Sequence, residues 1–301
     1  MAFRLTALTF FLTSLAICAH AAPTAVGLAQ ANTISSVQLM NTPRPLFFSD
    51  LVPFDTEHHR SLTLPAQRKN FAFAASAHLL PLTVAEVGAA VQHYPVVFIR
   101  EGDIIALVAL TGLPNAGNRF VDAQGEWRAD TYIPAYVRGY PFIAVRPAPG
   151  AEPIIAFDPS AADFKVKNGQ VLIGSDGQPG EQLKGILAFH GEYQALTERT
   201  HTITQALQAE GLLEEGQINV QVSGNPQPAP IGGFLVVSEA RLRALSAEAL
   251  KRLMDADAIG LAYAHLLSMS RLGNLVGEAP VKTIETVSSP ARQRAGKKSA
   301  E

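Results

Sequence analysis

The sequence predicts an α+β fold, mostly antiparallel, in which a strand-rich central region is followed by a long helix and a helical C-terminal segment. Three observations carry this expectation. Short apolar runs broken by Gly, Pro and Asp fill the chain from about residue 96 to 173, the pattern of short strands joined by tight turns. From Glu181 the apolar positions change to helical spacing, with Leu183, Ile186, Leu187, His190 and Tyr193 on one stripe, then Ile203 and Leu207, until Gly211. Beyond Ser238 the pattern is helical again, with Ser246 and Asp257 placed to cap successive helices and Ile259, Ala262, Leu266 and Met269 spaced to face a core.

Taken in order, residues 60–64 and 71–77 alternate as two short strands, and Thr83-Val84-Ala85-Glu86 forms a capping box ahead of a helix that Pro95 ends. Residues 96–99 and 104–110 read as paired strands around Glu101-Gly102-Asp103. A turn at Asp122-Ala123-Gln124-Gly125 separates Arg119-Phe120-Val121 from Glu126-Trp127-Arg128. Residues 142–145, 154–157 and 171–173 supply three further strands, and 218–222 and 234–237 two more after the long helix.

The 301 residues are 48% hydrophobic and 17% charged, enough apolar matter for a sizeable core. A formal net charge of −2 without a basic block in the body argues against nucleic-acid partners. Cys18 is the only cysteine, so no disulfide within the chain and no cysteine metal cluster is expected. Residues 1–21 read as a signal peptide: Arg4, the apolar run 5–16, and the small-x-small site Ala19-His20-Ala21. The run is too short to span a bilayer, and no transmembrane segment is expected in the mature chain. A linker over 22–40, a globular domain over 41–276 and a disordered, solvated tail over 277–301 follow. The alternative is a true start at Met40, which makes the protein cytoplasmic rather than exported to the periplasm or cell surface.

No compact signature of a hydrolase elbow, zinc-protease helix, phosphate loop or dinucleotide fingerprint occurs. His58 and His59 are adjacent and point to opposite faces of an extended segment, so they do not form a metal pair, and no metal or cofactor is expected. The densest polar and aromatic group is Asp122, Trp127, Tyr132, Tyr136, Arg138 and Tyr140, which can form a recognition surface for a protein, peptide or carbohydrate because Tyr, Trp and Arg combine stacking area with directed donors. The plainer reading of the same residues is a corner of the core with Arg138 paired to Asp122 or Asp130. His59, Arg60 and His265 are weaker candidates. An enzyme would use Asp122, His59 or His265 as acid or base, and His265 on an apolar stripe reads more simply as a hydrogen-bonded core histidine.

Leu46 to His59-Arg60, Phe71-Ala72-Phe73, Pro81-Leu82-Thr83 with Glu86, Tyr94-Pro95-Val96-Val97-Phe98, Tyr132-Ile133-Pro134-Ala135-Tyr136, Tyr140-Pro141-Phe142, Gly233-Phe234 and Ala264-His265-Leu266 together resemble the SapC family of bacterial proteins over about residues 41–275. The family commonly shows two arginines before Tyr-Pro-Phe, where this chain has Arg138 followed by Gly139. The resemblance implies association with the bacterial surface layer and supplies no catalytic residues. The functional expectation is therefore a non-enzymatic envelope or surface-associated protein that binds a cell-surface partner. The alternative is a cytoplasmic accessory or ligand-binding protein for peptide or carbohydrate uptake or modification.

Overall fold

The structure, a computed structural model, describes residues 3–4, 44–147, 150–222, 229–275 and 281–288. The apolar run of the expected export signal, Cys18 and Met40 lie outside them. In chain order the strands are β1 (Phe3–Arg4), β2 (Val52–Pro53), β3 (Thr63–Leu64), β4 (Leu79–Pro81), β5 (Val96–Glu101), β6 (Ile104–Leu110), β7 (Phe142–Val145), β8 (Ile154–Phe157), β9 (Gln170–Val171), β10 (Leu213–Val222), β11 (Ala229–Val237) and β12 (Val281–Ser288). The α-helices are α1 (Val87–Ala90), α2 (Ala135–Gly139), α3 (Glu181–Ala209), α4 (Glu239–Arg243), α5 (Ala247–Asp255) and α6 (Ala258–Ser268).

The expected α+β architecture is present, built on a large sheet of order β12-β10-β11-β5-β6-β4 and a small one of order β2-β8-β7, with β3 and β9 forming a separate pair. Among the described residues every pairing is antiparallel except that of β1, which runs parallel to β11 at Ile231 and Gly232. The run from Val96 to Leu110 is apolar almost throughout because both faces of the large sheet are buried. Val96, Phe98, Ile105 and Leu107 face α3, α5 and α6, where Ile203, Leu207, Leu253 and Leu261 meet them. Val97, Ile99, Val108 and Leu110 face the other way with Phe234, Val236, Leu272 and Leu275.

The 29 residues of α3 rise about 43 Å and connect the two sheets. Its first turns place Leu183, Ile186 and Leu187 on Phe54, Phe142, Ile155 and Phe157 of the small-sheet core, and its last turns place Ile203 and Leu207 in the large-sheet core. The middle of the helix, around His190 and Tyr193, is the stretch on which α2 packs.

β5 and β11 meet in the ladder only at Phe98 and Leu235. The next pair in that register is Val96 and Val237, and the His265 imidazole from α6 stands between them. Nδ1 lies 2.6 Å from the Val96 carbonyl and Nε2 accepts the Val237 N–H at 3.1 Å. With Ser268 Oγ accepting the Val96 N–H at 2.9 Å, side chains replace the missing rung of the sheet.

Several local expectations are corrected. Residues 71–77 are not a strand: Ala72–Ala74 form a 3-10 turn, because Asn70 Oδ1 accepts the Ala72 N–H and Phe71 donates to Gly125, taking the backbone groups that a ladder would use. The Phe71/Phe73 alternation instead sends one ring to Trp127 and the other to Tyr140. Of residues 60–64 only Thr63–Leu64 is a strand. The helix after Thr83 is a 3-10 turn, Val84–Glu86, followed by the single turn of α1. Ser246 caps α5 as expected, accepting the Ala249 N–H. Asp257 makes no side-chain cap: its residue is left-handed at φ 57° and its carboxylate pairs with Arg199 at 2.7 Å. Within the expected tail, Val281–Ser288 run along the outer edge of β10 as β12.

Candidate functional site

The segment from Tyr132 to Phe142 is organised around α2, a five-residue helix bounded by Pro134 and Pro141. So short a helix has no stability of its own and leaves its terminal amides and carbonyls to outside partners. A buried acid serves one end and a largely buried base the other. Glu86, 5% exposed, completes the capping box of the preceding element by accepting Thr83 N–H at 2.8 Å and Thr83 Oγ1–H at 2.9 Å on Oε2. Its Oε1 accepts the Ala135 N–H at the start of α2 at 2.6 Å and the Tyr132 hydroxyl at 3.1 Å. At the other end Arg68 donates to the carbonyls of Val137, Arg138 and Tyr140, pairs with Asp163 at 3.0 Å and lies over the rings of Phe73 and Tyr140. Negative charge at the N-terminus and positive at the C-terminus match the helix dipole.

Tyr140 is buried, stacked on Phe73 at 4.2 Å and edge-on to Phe48. Burial, then the neighbouring Asp158 and Asp163 charges, push its hydroxyl up to about 12. Asp158 is fully buried and satisfied: Oδ1 takes the amide and hydroxyl of Ser160, and Oδ2 the Ser49 N–H at 2.6 Å. Tyr136 donates to the Leu46 carbonyl, and burial raises its pKa. These groups hold the segment in place.

Arg138 alone in this segment is exposed. It pairs with neither Asp122 nor Asp130. Nε donates to the Ile133 carbonyl at 3.1 Å and Nη2 to the Tyr132 hydroxyl at 3.3 Å. The guanidinium lies 5.9 Å from the Tyr132 ring centroid and 5.5 Å from that of Phe189 on α3, a pair of cation–π contacts. No carboxylate of a described residue is within ion-pair distance of it. Tyr132 has its pKa raised, first by burial and then by the Glu86 charge.

Gly139 explains why this surface carries one arginine rather than two. A Cβ there would lie 2.9 Å from His190 Cε1 and 3.1 Å from Phe189 Cε1, so a side chain would force α2 and α3 apart. Gly139→Ala is expected to cost about 1–3 kcal/mol, measured by urea unfolding, while an unchanged midpoint would show that His190 simply rotates away.

The other candidates lie apart from Arg138. Asp122 organises its own turn, accepting the amides of Gln124 and Glu126. Trp127 bridges to Val121 and packs on Phe71 and the large-sheet core. His59 Nδ1 accepts the Asp55 N–H at 2.9 Å and its ring stands edge-on to Phe157, while His58 points outward to Asp55, so the pair divides between two faces. Arg60 is exposed, its guanidinium over the Gly177 turn. His265 has both nitrogens committed in the sheet. No hydrogen bond or ion pair joins any two of Asp122, His59 and His265 among the described residues. Among the same residues no group of three His, Cys, Asp or Glu could hold a metal ion, and no helix is long and apolar enough to cross a membrane.

Sequence reasoning missed Glu86 as a hub, Arg68, Asp158 and Phe189. The capping box pointed to Glu86 locally, and Asp158-Pro159-Ser160 after an apolar strand is a turn signal. Arg68 sits in Gln67-Arg68-Lys69-Asn70, which resembles any solvated loop.

Fold and site together define an α+β protein with an internally braced aromatic segment that presents one arginine without an acidic partner. The chain belongs to the SapC family, whose model matches residues 54–275. No curated protein and no solved structure matches it.

Proposed function

We propose that this SapC-family protein is a non-enzymatic, envelope- or surface-associated binding protein whose partner docks on the face formed by Arg138, Tyr132 and Phe189. The observation that carries the reading is the state of Arg138: exposed, held by two hydrogen bonds and two rings, and left without a carboxylate. Ion-paired arginines such as Arg68 and Arg252 have their charge answered within the fold. Arg138 is held rigidly with its charge available, which lowers the ordering cost of binding.

The test is a pair of variants in a co-sedimentation assay with purified envelope of the host bacterium. Arg138→Ala is expected to abolish binding while lowering stability by only about 1–2 kcal/mol, for the loss of two exposed hydrogen bonds and two exposed cation–π contacts. Trp127→Ala, which removes a ring packed between two cores, is expected to destabilise by about 3–5 kcal/mol. If Arg138→Ala instead destabilises as Trp127→Ala does, the face is packing and not a binding surface.

Export is part of this reading, and it predicts a native N-terminus at Ala22 by intact mass. The second reading keeps the same face and puts the protein in the cytoplasm as an accessory or ligand-binding protein. What favours it is that the family match begins at residue 54, so the matched region lies wholly within a chain that starts at Met40. A native N-terminus at Met40 would establish this version and remove the first.

A further inference from the structure

We infer that the Arg138 face is a receptor for an acidic sugar, a pyranose bearing a carboxylate; this rests on the reading of that face as the binding surface. A guanidinium has a side edge, Nε with one Nη, and an end edge formed by the two Nη groups. Here the side edge is consumed: Nε is bound to the Ile133 carbonyl and Nη2 to the Tyr132 hydroxyl. The end edge is what remains, and Nη1 meets no acceptor among the described residues. Two parallel N–H groups at the end of an exposed, fixed guanidinium match a planar carboxylate in the bidentate manner.

Charge count selects the anion. The next residue is Gly139, and the α2–α3 contact leaves no space there for a second cationic side chain. One fork with no second cation suits a monoanionic carboxylate better than a phosphate dianion.

The surroundings select a sugar over a peptide. Tyr132 and Phe189 flank the guanidinium, and Tyr193 lies one helical turn along α3 with its ring within 10° of parallel to that of Phe189 at 6.3 Å. All three are partly buried, and aromatic rings beside a carboxylate fork suit the apolar C–H face of a pyranose. The elements behind them, α2 and α3, are helices whose backbone groups are already used.

The experiment titrates the full chain with trigalacturonate, neutral trigalactose, a triglutamate peptide and inorganic phosphate, following the Arg138 Nε–H resonance by NMR and the heat by calorimetry. The inference expects saturable binding of trigalacturonate that is lost in Arg138→Ala and weakened about tenfold in Arg138→Lys, which keeps the charge and loses the fork. Trigalactose is expected to bind at least about tenfold more weakly than trigalacturonate. Equal affinity for trigalactose, stronger response to triglutamate or phosphate, or full affinity in Arg138→Lys overturns the acidic-sugar assignment. In those cases envelope binding that still depends on Arg138 leaves the face reading standing, so the two failures are distinguishable. Envelope binding that survives Arg138→Ala overturns both.

Discussion

Glu86→Ala is expected to lower the melting temperature by about 10–20 °C. The reason is the number of separate elements that end on one carboxylate. Thr83 supplies an amide and a hydroxyl, Ala135 the first amide of α2, and Tyr132 the hydroxyl that in turn receives Arg138. Removing the acceptor strands several buried donors at about 1–3 kcal/mol each, against a total stability of about 5–15 kcal/mol. The conservative variant is the sharper test because the donors are arranged asymmetrically. Each carboxylate oxygen receives one backbone amide and one hydroxyl. A hydroxyl can reverse its bond to accept from an amide NH2, but a backbone N–H cannot. Glu86→Gln therefore opposes its NH2 to an N–H in either orientation, to Thr83 in one and to Ala135 in the other, and is expected to cost about 2–3 kcal/mol. Thermal unfolding of both variants, with far-UV circular dichroism confirming a folded start, measures this. A Glu86→Gln protein that melts with the wild type would show that the carboxylate is not the hub described.

The same residue shows where sequence reasoning reaches and where it stops. Thr83-Val84-Ala85-Glu86 was legible as a capping box because both partners lie within four residues, and the turns at Gly102 and Asp122 were legible for the same reason. The strands at 142–145 and 154–157 and the helix from Glu181 followed from apolar spacing, which records burial directly. Phe71-Ala72-Phe73 misled because alternation around a turn has the same period as a strand, and the Asn70 side chain and the distant Gly125 carbonyl together decide between them. The candidate aromatic segment was found, but its division into braced and exposed residues was not. That division depends on Arg68, Glu86 and Phe189, contributed from 46 to 72 residues away along the chain from their partners, and no local pattern carries such contacts. Arg138 drew attention as a charge near acids; in the fold its partners are a carbonyl, a phenol and two rings.

Acid is expected to unfold the protein well above the range in which most carboxylates titrate, through His190 and His265. His190, deeply buried between α2 and α3 and hydrogen-bonded to the Gly139 backbone, has its pKa lowered by burial to about 4. His265 is fully buried, with no charged group acting on it, and burial lowers it likewise to about 4. Both start from 6.5 when unfolded. A depressed histidine pKa means that the unfolded chain binds more protons between the two values, so stability rises with pH through that window and falls as pH drops from about 6.5 toward 4. Each imidazole contributes about 3 kcal/mol that is fully present above pH 6.5 and gone below pH 4, with a combined slope of about 2.5 kcal/mol per pH unit near pH 5. His59 and His78, also lowered by burial, add in the same direction. For His265 the structural consequence is specific. Nδ1 already donates to the Val96 carbonyl, so a proton added at Nε2 converts the acceptor of the Val237 N–H into a second donor facing it. The rung that joins β5 to β11 is then repelled open, and the large sheet parts into β4-β6-β5 and β11-β10-β12 where its ladder is already thinnest. Urea midpoints between pH 7 and pH 4.5, with hydrogen exchange at Val237 read alongside, give both quantities. Stability that stays level from pH 7 to pH 5 would mean that neither histidine is held neutral by the fold. A slope with unchanged protection at Val237 would place the loss away from His265, at His190 in the contact between α2 and α3 or at His59 and His78.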